Sequence, residues 1–153
     1  MKIAIGADHR GFDICSRLAE RLQLHKHEAY LVPGVTPERC DYPVPASRVA
    51  SAVASHEAER GILICGTGIG VSIAANKVAG VRAALVSDEL SAQLSRTHND
   101  ANVLCLSGDL LSEQVIDRIV EVFLGTEFEG GRHERRRRQI EAIEAGQDPG
   151  EVE

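Results

Sequence analysis

The chain has 153 residues, enough for one domain with its own core and too few for two ordinary ones. Apolar residues make up 43% and charged residues 26%, the balance of a globular protein that needs neither disulfide nor metal staples. Aromatics at 3% and a formal net charge of −6 argue against a base-stacking platform or a DNA-coating surface.

Short apolar runs alternate with stretches of helical period. Lys2–Ala7 (KIAIGA) reads as a strand, and Gly11–Leu24 as a helix with Phe12, Cys15, Leu18, Ala19 and Leu22 on one face. A second strand is expected at Glu28–Val32, followed by a turn at Pro33-Gly34. Pro43 and Pro45 suit the start of a helix, which Ala46–Ala54 continues. Gly61–Cys65 (GILIC) is apolar throughout, as in a strand buried on both faces, and it runs into Gly66-Thr67-Gly68-Ile69-Gly70 and a helix at Val71–Asn76. Val81–Val86 and Asn102–Leu106 are two more strands around a helix at Glu89–Arg96. An amphipathic helix at Ser112–Leu124 follows, then Gly130-Gly131 and a last helix over about 132–145. Five strand–helix alternations predict a single-domain α/β fold over residues 1–146, a Rossmann-like three-layer sandwich. Its five-stranded parallel sheet would have helices on both faces, with an added C-terminal helix. Residues 147–153 read as a frayed tail.

No apolar run reaches membrane-spanning length, because a charged residue interrupts every candidate. MKIAIGADHRGF enters a strand pattern directly, without the apolar stretch of a secretory signal. Cys15, Cys40, Cys65 and Cys105 form no CxxC pair and read as free thiols of a reducing compartment. The expectation is a cytoplasmic protein that binds neither membrane nor nucleic acid.

In an open parallel sheet, ligands gather at the carboxyl ends of the strands. That rule nominates Asp8-His9, Cys65–Gly70, Ser87-Asp88 and Ser107–Asp109. Three glycines at alternate positions between a buried strand and a helix let backbone N–H groups converge on an anion. A tight strand-to-helix turn is the plainer reading of the same residues. The loop is no dinucleotide fingerprint, since its third glycine comes one place too early for GxGxxG. Cys65, just before the loop, would suit a nucleophile or base, because nearby amides favour a thiolate. The residues alone favour an ordinary buried cysteine. His98, in Thr97-His98-Asn99-Asp100, can titrate near neutrality or simply close a helix. His25 and His27 are two apart with no nearby acid or thiol at metal-ligand spacing. Five of the fourteen arginines fall in Arg132–Arg138, where Arg132 and Arg136 share a helix face and could clamp a phosphate.

The words GADHRGF (6–12), CDYP (40–43), GILICGTGIGVSIAANKVAGVRAAL (61–85), SRTHNDANVLCL (95–106) and FEGGRH (128–133) are collinear. Together they resemble the ribose-5-phosphate isomerase B family, which includes the galactose-6-phosphate isomerases. The resemblance implies interconversion of an aldose phosphate and a ketose phosphate through ring opening and a cis-enediolate, with no metal or cofactor. Ribose 5-phosphate and ribulose 5-phosphate are the default pair. By the same resemblance, Cys65 is the base that moves a proton between C1 and C2. Gly66, Gly68 and Gly70 supply amides to the developing oxyanion, with Thr67 beside them. His98 assists ring opening, Asp8 lies near the sugar hydroxyls, and Tyr42 and Asn99 line the pocket. His9, Arg132 and Arg136 match phosphate contacts. A second subunit completes each pocket, so a homodimer or a dimer of dimers is implied.

Two words depart from the family. An arginine common after the last strand is replaced by Asp109, in Ser107-Gly108-Asp109. An aspartate there would repel a phosphate unless turned away or offset by Arg10 or Arg135. The word Asp41-Tyr42-Pro43-Val44-Pro45-Ala46 also alters the pocket flank. Both leave open a different tetrose, pentose or hexose phosphate, or an unphosphorylated sugar. A non-catalytic anion or nucleotide sensor on the same fold is the reading from another class.

Overall fold

The computed structural model describes residues 1–152. Its strands are β1 (Lys2–Ala7), β2 (Glu28–Leu31), β3 (Arg60–Cys65), β4 (Ala83–Leu85) and β5 (Val103–Ser107). The helices are α1 (Phe12–Leu24), α2 (Pro43–Ala54), α3 (Ile69–Ala75), α4 (Glu89–Asn99), α5 (Glu113–Gly125) and α6 (Arg132–Glu144). All strand pairs are parallel, in the order β2-β1-β3-β5-β4.

The three central strands are the most apolar because both their faces are covered. Ile3, Ile5, Ile62, Leu63, Ile64, Leu104 and Leu106 have no exposed surface. Helices α2 and α3 pack together on one face of the sheet. On the other, ion pairs from Arg17 and Arg21 to Asp117 join α1 to α5, and α4 packs beside α5. Gly61 in β3 and Gly11 at the start of α1 let the layers close up. A Cβ on Gly61 would lie 2.6 Å from Val49 of α2, and one on Gly11 would lie 2.8 Å from Ala7 and 2.9 Å from Ile64.

Most element boundaries move by a residue or so, and three move further. The strand expected over Val81–Val86 shortens to three residues at the sheet edge, because the Arg82 N–H goes to the Asn102 side chain at 2.8 Å. The glycine loop turns into helix two residues early, at Ile69. Helix α4 continues beyond Arg96 to Asn99, so His98 and Asn99 occupy its last turn. Residues 149–151, expected to fray, form a short 3₁₀ turn whose Pro149 carbonyl accepts from Gln139 of α6 at 3.2 Å. No helix among the described residues is long and apolar enough to cross a membrane.

Candidate active site

The switch in connection direction around β3 leaves a crevice at the carboxyl edge of the sheet, and the glycine loop crosses it. Cys65 ends β3 and is 4% exposed. The Gly68 N–H donates to its Sγ at 3.2 Å, so a backbone dipole is already aimed at the sulfur. The thiol is thereby oriented toward the loop. Cys15 and Cys105 are enclosed in the core, where burial chiefly, aided by Asp8 at Cys15 and by Cys65 at Cys105, pushes both thiols up.

The loop's glycines have three separate causes. Gly68 has φ +76°, left-handed, and a Cβ there would also meet Leu85 at 2.6 Å. At Gly70 the ring of Tyr42 lies where a Cβ would be, 2.6 Å from Cε2 and Cζ. At Gly66 the same space belongs to Asp109 and Arg10, at 2.9 and 3.2 Å. Exposed Thr67 accepts the Ile69 N–H at 3.3 Å through its hydroxyl. The Gly68 amide is committed to Sγ, whereas Gly70 lies in the first turn of α3, where N–H groups have no intrahelical acceptor.

Asp8 and His9 leave β1 beside this loop. Asp8 is 6% exposed and accepts the Arg10 N–H at 3.0 Å, while His9 faces solvent. Asp109 takes both Nε and Nη2 of Arg10, at 3.2 and 2.5 Å, and the pairing raises the arginine's pKa further. Of the two cations that could offset Asp109, Arg10 is the one that does. Asp88, also nominated by its strand end, instead caps α4 by accepting the Ser91 N–H at 2.7 Å.

The other expected residues gather elsewhere. His98 and Asn99 close α4 just before the turn into β5, at the amino edge of the sheet. Near that edge the Gly61 N–H donates to Asn102. Cys65 is four strand residues beyond Gly61 along β3, roughly 13 Å away. His98 stacks on buried His133 of α6, ring centroids 4.2 Å apart and planes 5° from parallel. Arg132 donates through Nε to His133 Nε2 at 3.3 Å, which makes that nitrogen an acceptor. Burial, His98 and Arg132 hold the His133 imidazole below its usual range. Arg136 is exposed and makes no ion pair among the described residues. Arg137 pairs with Glu134 at 2.6 Å and with Glu141.

The expected site residues therefore fall into two groups. Asp8, His9, Tyr42, Cys65, Thr67 and the loop glycines stand at one edge, and His98, Asn99, Arg132 and Arg136 at the other.

His98, Glu129 and His133 bring ligand atoms within 4.8 Å of one another, the one such cluster among the described residues. Glu129 and His133 are four residues apart, but His98 is about thirty residues away from them, which is why spacing did not reveal the group. Parallel rings aim their lone pairs side by side, and Arg132 sets a cation next to them. Hydrogen bonding suits the group better than a dication.

Sequence patterns also missed Arg96, 1% exposed, whose Nη1 donates to Asp100 Oδ1 and to the Ala101 carbonyl, each at 2.7 Å. Arg82 reaches the other oxygen of Asp100 at 3.0 Å. With φ +47°, Asp100 ends α4 and holds the turn that carries His98 and Asn99. A charged residue in an amphipathic helix gives no signal of this kind.

An open parallel sheet with a thiol in a glycine-lined loop at its carboxyl edge marks a small-molecule α/β protein of the switch-point class. Comparison with known proteins carries this further. The Ribose/Galactose Isomerase family matches residues 3–140, and the chain belongs to it. It is 48% identical to ribose-5-phosphate isomerase B of Escherichia coli, over 94% of this chain and 96% of that one. The solved ribose-5-phosphate isomerase B of Clostridium thermocellum superposes with a TM-score of 0.93 at 44% identity, covering 95% and 99% of the two chains. That of Mycoplasma genitalium, with ribulose 5-phosphate bound, gives 0.89 at 42%, over 94% and 96%.

Proposed function

We propose that this protein is an aldose–ketose isomerase of a sugar phosphate, with ribose 5-phosphate and ribulose 5-phosphate as its default pair. The relatives named above and the buried thiol in the glycine loop support the reading.

The C–H beside a carbonyl is a weak acid, so its removal needs a positioned base and donors for the oxyanion. Cys65 takes the C2 proton of the open-chain aldose. The negative charge moves to O1, where amides of the Gly66–Gly70 loop receive it. Return of the proton to C1, with proton transfer from O2 to O1, gives the ketose. Gly68 stabilises the thiolate, leaving Gly66 and Gly70 as the oxyanion donors. Tyr42, over Gly70, walls one side of the pocket. Asp8 faces the sugar hydroxyls.

Ring opening needs a group that protonates the ring oxygen, and His98 fills that role from a second protomer. The separation of His98 from Cys65 within one protomer supports a shared site. So do the apolar side chains left open on both sides: Ile69 (52%), Ile73 (58%) and Leu90 (63%) near the loop, and Ile140 (45%) and Ile143 (61%) on α6. Two copies related by a two-fold axis bury both patches and bring Asn99, Arg132 and Arg136 to the partner's Cys65 edge. Arg132, Arg136 and His9 then hold the phosphate.

An isomerase assay across ribose 5-phosphate, ribulose 5-phosphate, tetrose and hexose phosphates and free ribose tests the reading. Turnover of the pentose phosphates is expected. A folded protein inactive on the whole panel would overturn it in favour of an anion sensor.

A further inference from the structure

The Arg10–Asp109 pair takes part in none of the steps above, yet it occupies the space of the missing side chain at Gly66, the residue after Cys65. Two backbone bonds fix its acidic half against the loop. The Asp109 N–H donates to the Gly66 carbonyl at 3.1 Å and the Gly108 N–H to the Cys65 carbonyl at 2.9 Å. Arg10 spends one edge of its guanidinium, Nε and Nη2, on the carboxylate. None of the described residues takes Nη1, and 54% of the side chain is exposed at the crevice. Asp8 and Asp109 alone would set two carboxylates before an anionic substrate, a repulsive arrangement. The single arginine between them alters that field at the point where ligands enter.

We propose that Arg10 contacts the substrate's phosphate, with Asp109 as the positioning residue that holds its guanidinium over the loop. The inference rests on the sugar-phosphate reading above. A guanidinium clamped along one edge keeps its outer N–H groups in a fixed fork matched to two phosphate oxygens. Because the fork is already ordered, less side-chain freedom is lost on binding. The contact is made in ground and transition states alike, so it acts on KM and leaves kcat nearly unchanged.

The test compares wild type, Arg10→Ala, Arg10→Lys and the double variant Arg10→Ala/Asp109→Ala. KM and kcat for ribose 5-phosphate are measured beside the Kd for inorganic phosphate from a ³¹P NMR titration. Arg10→Ala is expected to raise KM and Kd roughly ten- to hundredfold with kcat within about threefold. Arg10→Lys should fall between, because an ammonium serves two anions without a planar fork. If Arg10 only neutralised Asp109, the double variant would return KM to the wild-type value, and the proposal fails. It fails equally if Arg10→Ala lowers kcat and thermal stability while phosphate affinity stays unchanged, the pattern of a loop brace. A wild type that turns over no sugar phosphate but binds inorganic phosphate through Arg10 would sink the isomerase reading and leave this contact standing.

Discussion

At the residue scale, Cys65 is the group whose chemistry and placement agree most closely. Its Sγ accepts a backbone N–H, while the two core cysteines lie where a thiolate is disfavoured. Cys65→Ser should fold normally and lose both turnover and exchange of the C2 proton with solvent. Acid–base catalysis by one side chain typically contributes about 10²–10⁴ in rate, so a loss of that size is expected. Exchange at the wild-type rate, followed by NMR in deuterated water, would move the base to Asp8. His98 has a more selective signature. A four-carbon aldose 4-phosphate cannot close a furanose ring through its phosphorylated oxygen and so bypasses ring opening. His98→Asn should therefore depress kcat/KM for ribose 5-phosphate far more than for the tetrose phosphate, and equal losses would leave His98 without that role.

Among elements, the junction of α4 with β5 and α6 determines where His98 stands. Asp100 bridges Arg96 and Arg82 there, and Arg96 is buried. Removing the carboxylate leaves a buried guanidinium with only carbonyl partners. Asp100→Ala should lower the unfolding free energy by about 3 kcal/mol, the low end for breaking such a pair because Asp100 is partly solvated. Urea titration measures this, and a change below 1 kcal/mol would show that the Ala101 and Thr126 carbonyls suffice. The packing of α6 on α4 adds a pH dependence through the stack of His98 on His133. Burial keeps folded His133 neutral to lower pH than the unfolded chain, where the imidazole titrates near 6.5. Below about pH 6.5 the unfolded state binds the extra proton, so stability falls with acidification. His133→Phe keeps a stacking ring without a titrating group and should flatten the stability slope between pH 5 and about 6.5. An unchanged slope would assign the acid sensitivity to other groups.

For the whole molecule, the decisive feature is that Cys65 and His98 lie at opposite edges of one sheet. If the active sites are shared across a two-fold axis, Cys65→Ser and His98→Asn damage different half-sites. A heterodimer of the two variants then has one site with both lesions and one with neither. Unfolding and refolding an equimolar mixture should recover about a quarter of wild-type activity from two inactive parents, since half the dimers are mixed. No recovery, with dimers present by sedimentation, would place both residues in one protomer's site.

Much of this protein can be read from its residues in order. The all-apolar GILIC, the glycine-rich turn after it and the alternation of helix and strand are local patterns, and they specify a parallel α/β sheet because burial on both faces permits few other residues. The short motifs led to the family for the same reason, since loop, thiol and histidine words are each contiguous. Tertiary structure decided what depends on residues distant in sequence. It joined Arg10 to Asp109 over Gly66, set Tyr42 against Gly70, and stacked His98 on His133. It also carried His98 to the edge of the sheet away from Cys65, because α4 returns antiparallel to the strands before its last turn. No spacing along the chain encodes those meetings. They arise when hydrophobic packing of the layers brings the strand ends and helix ends to fixed places.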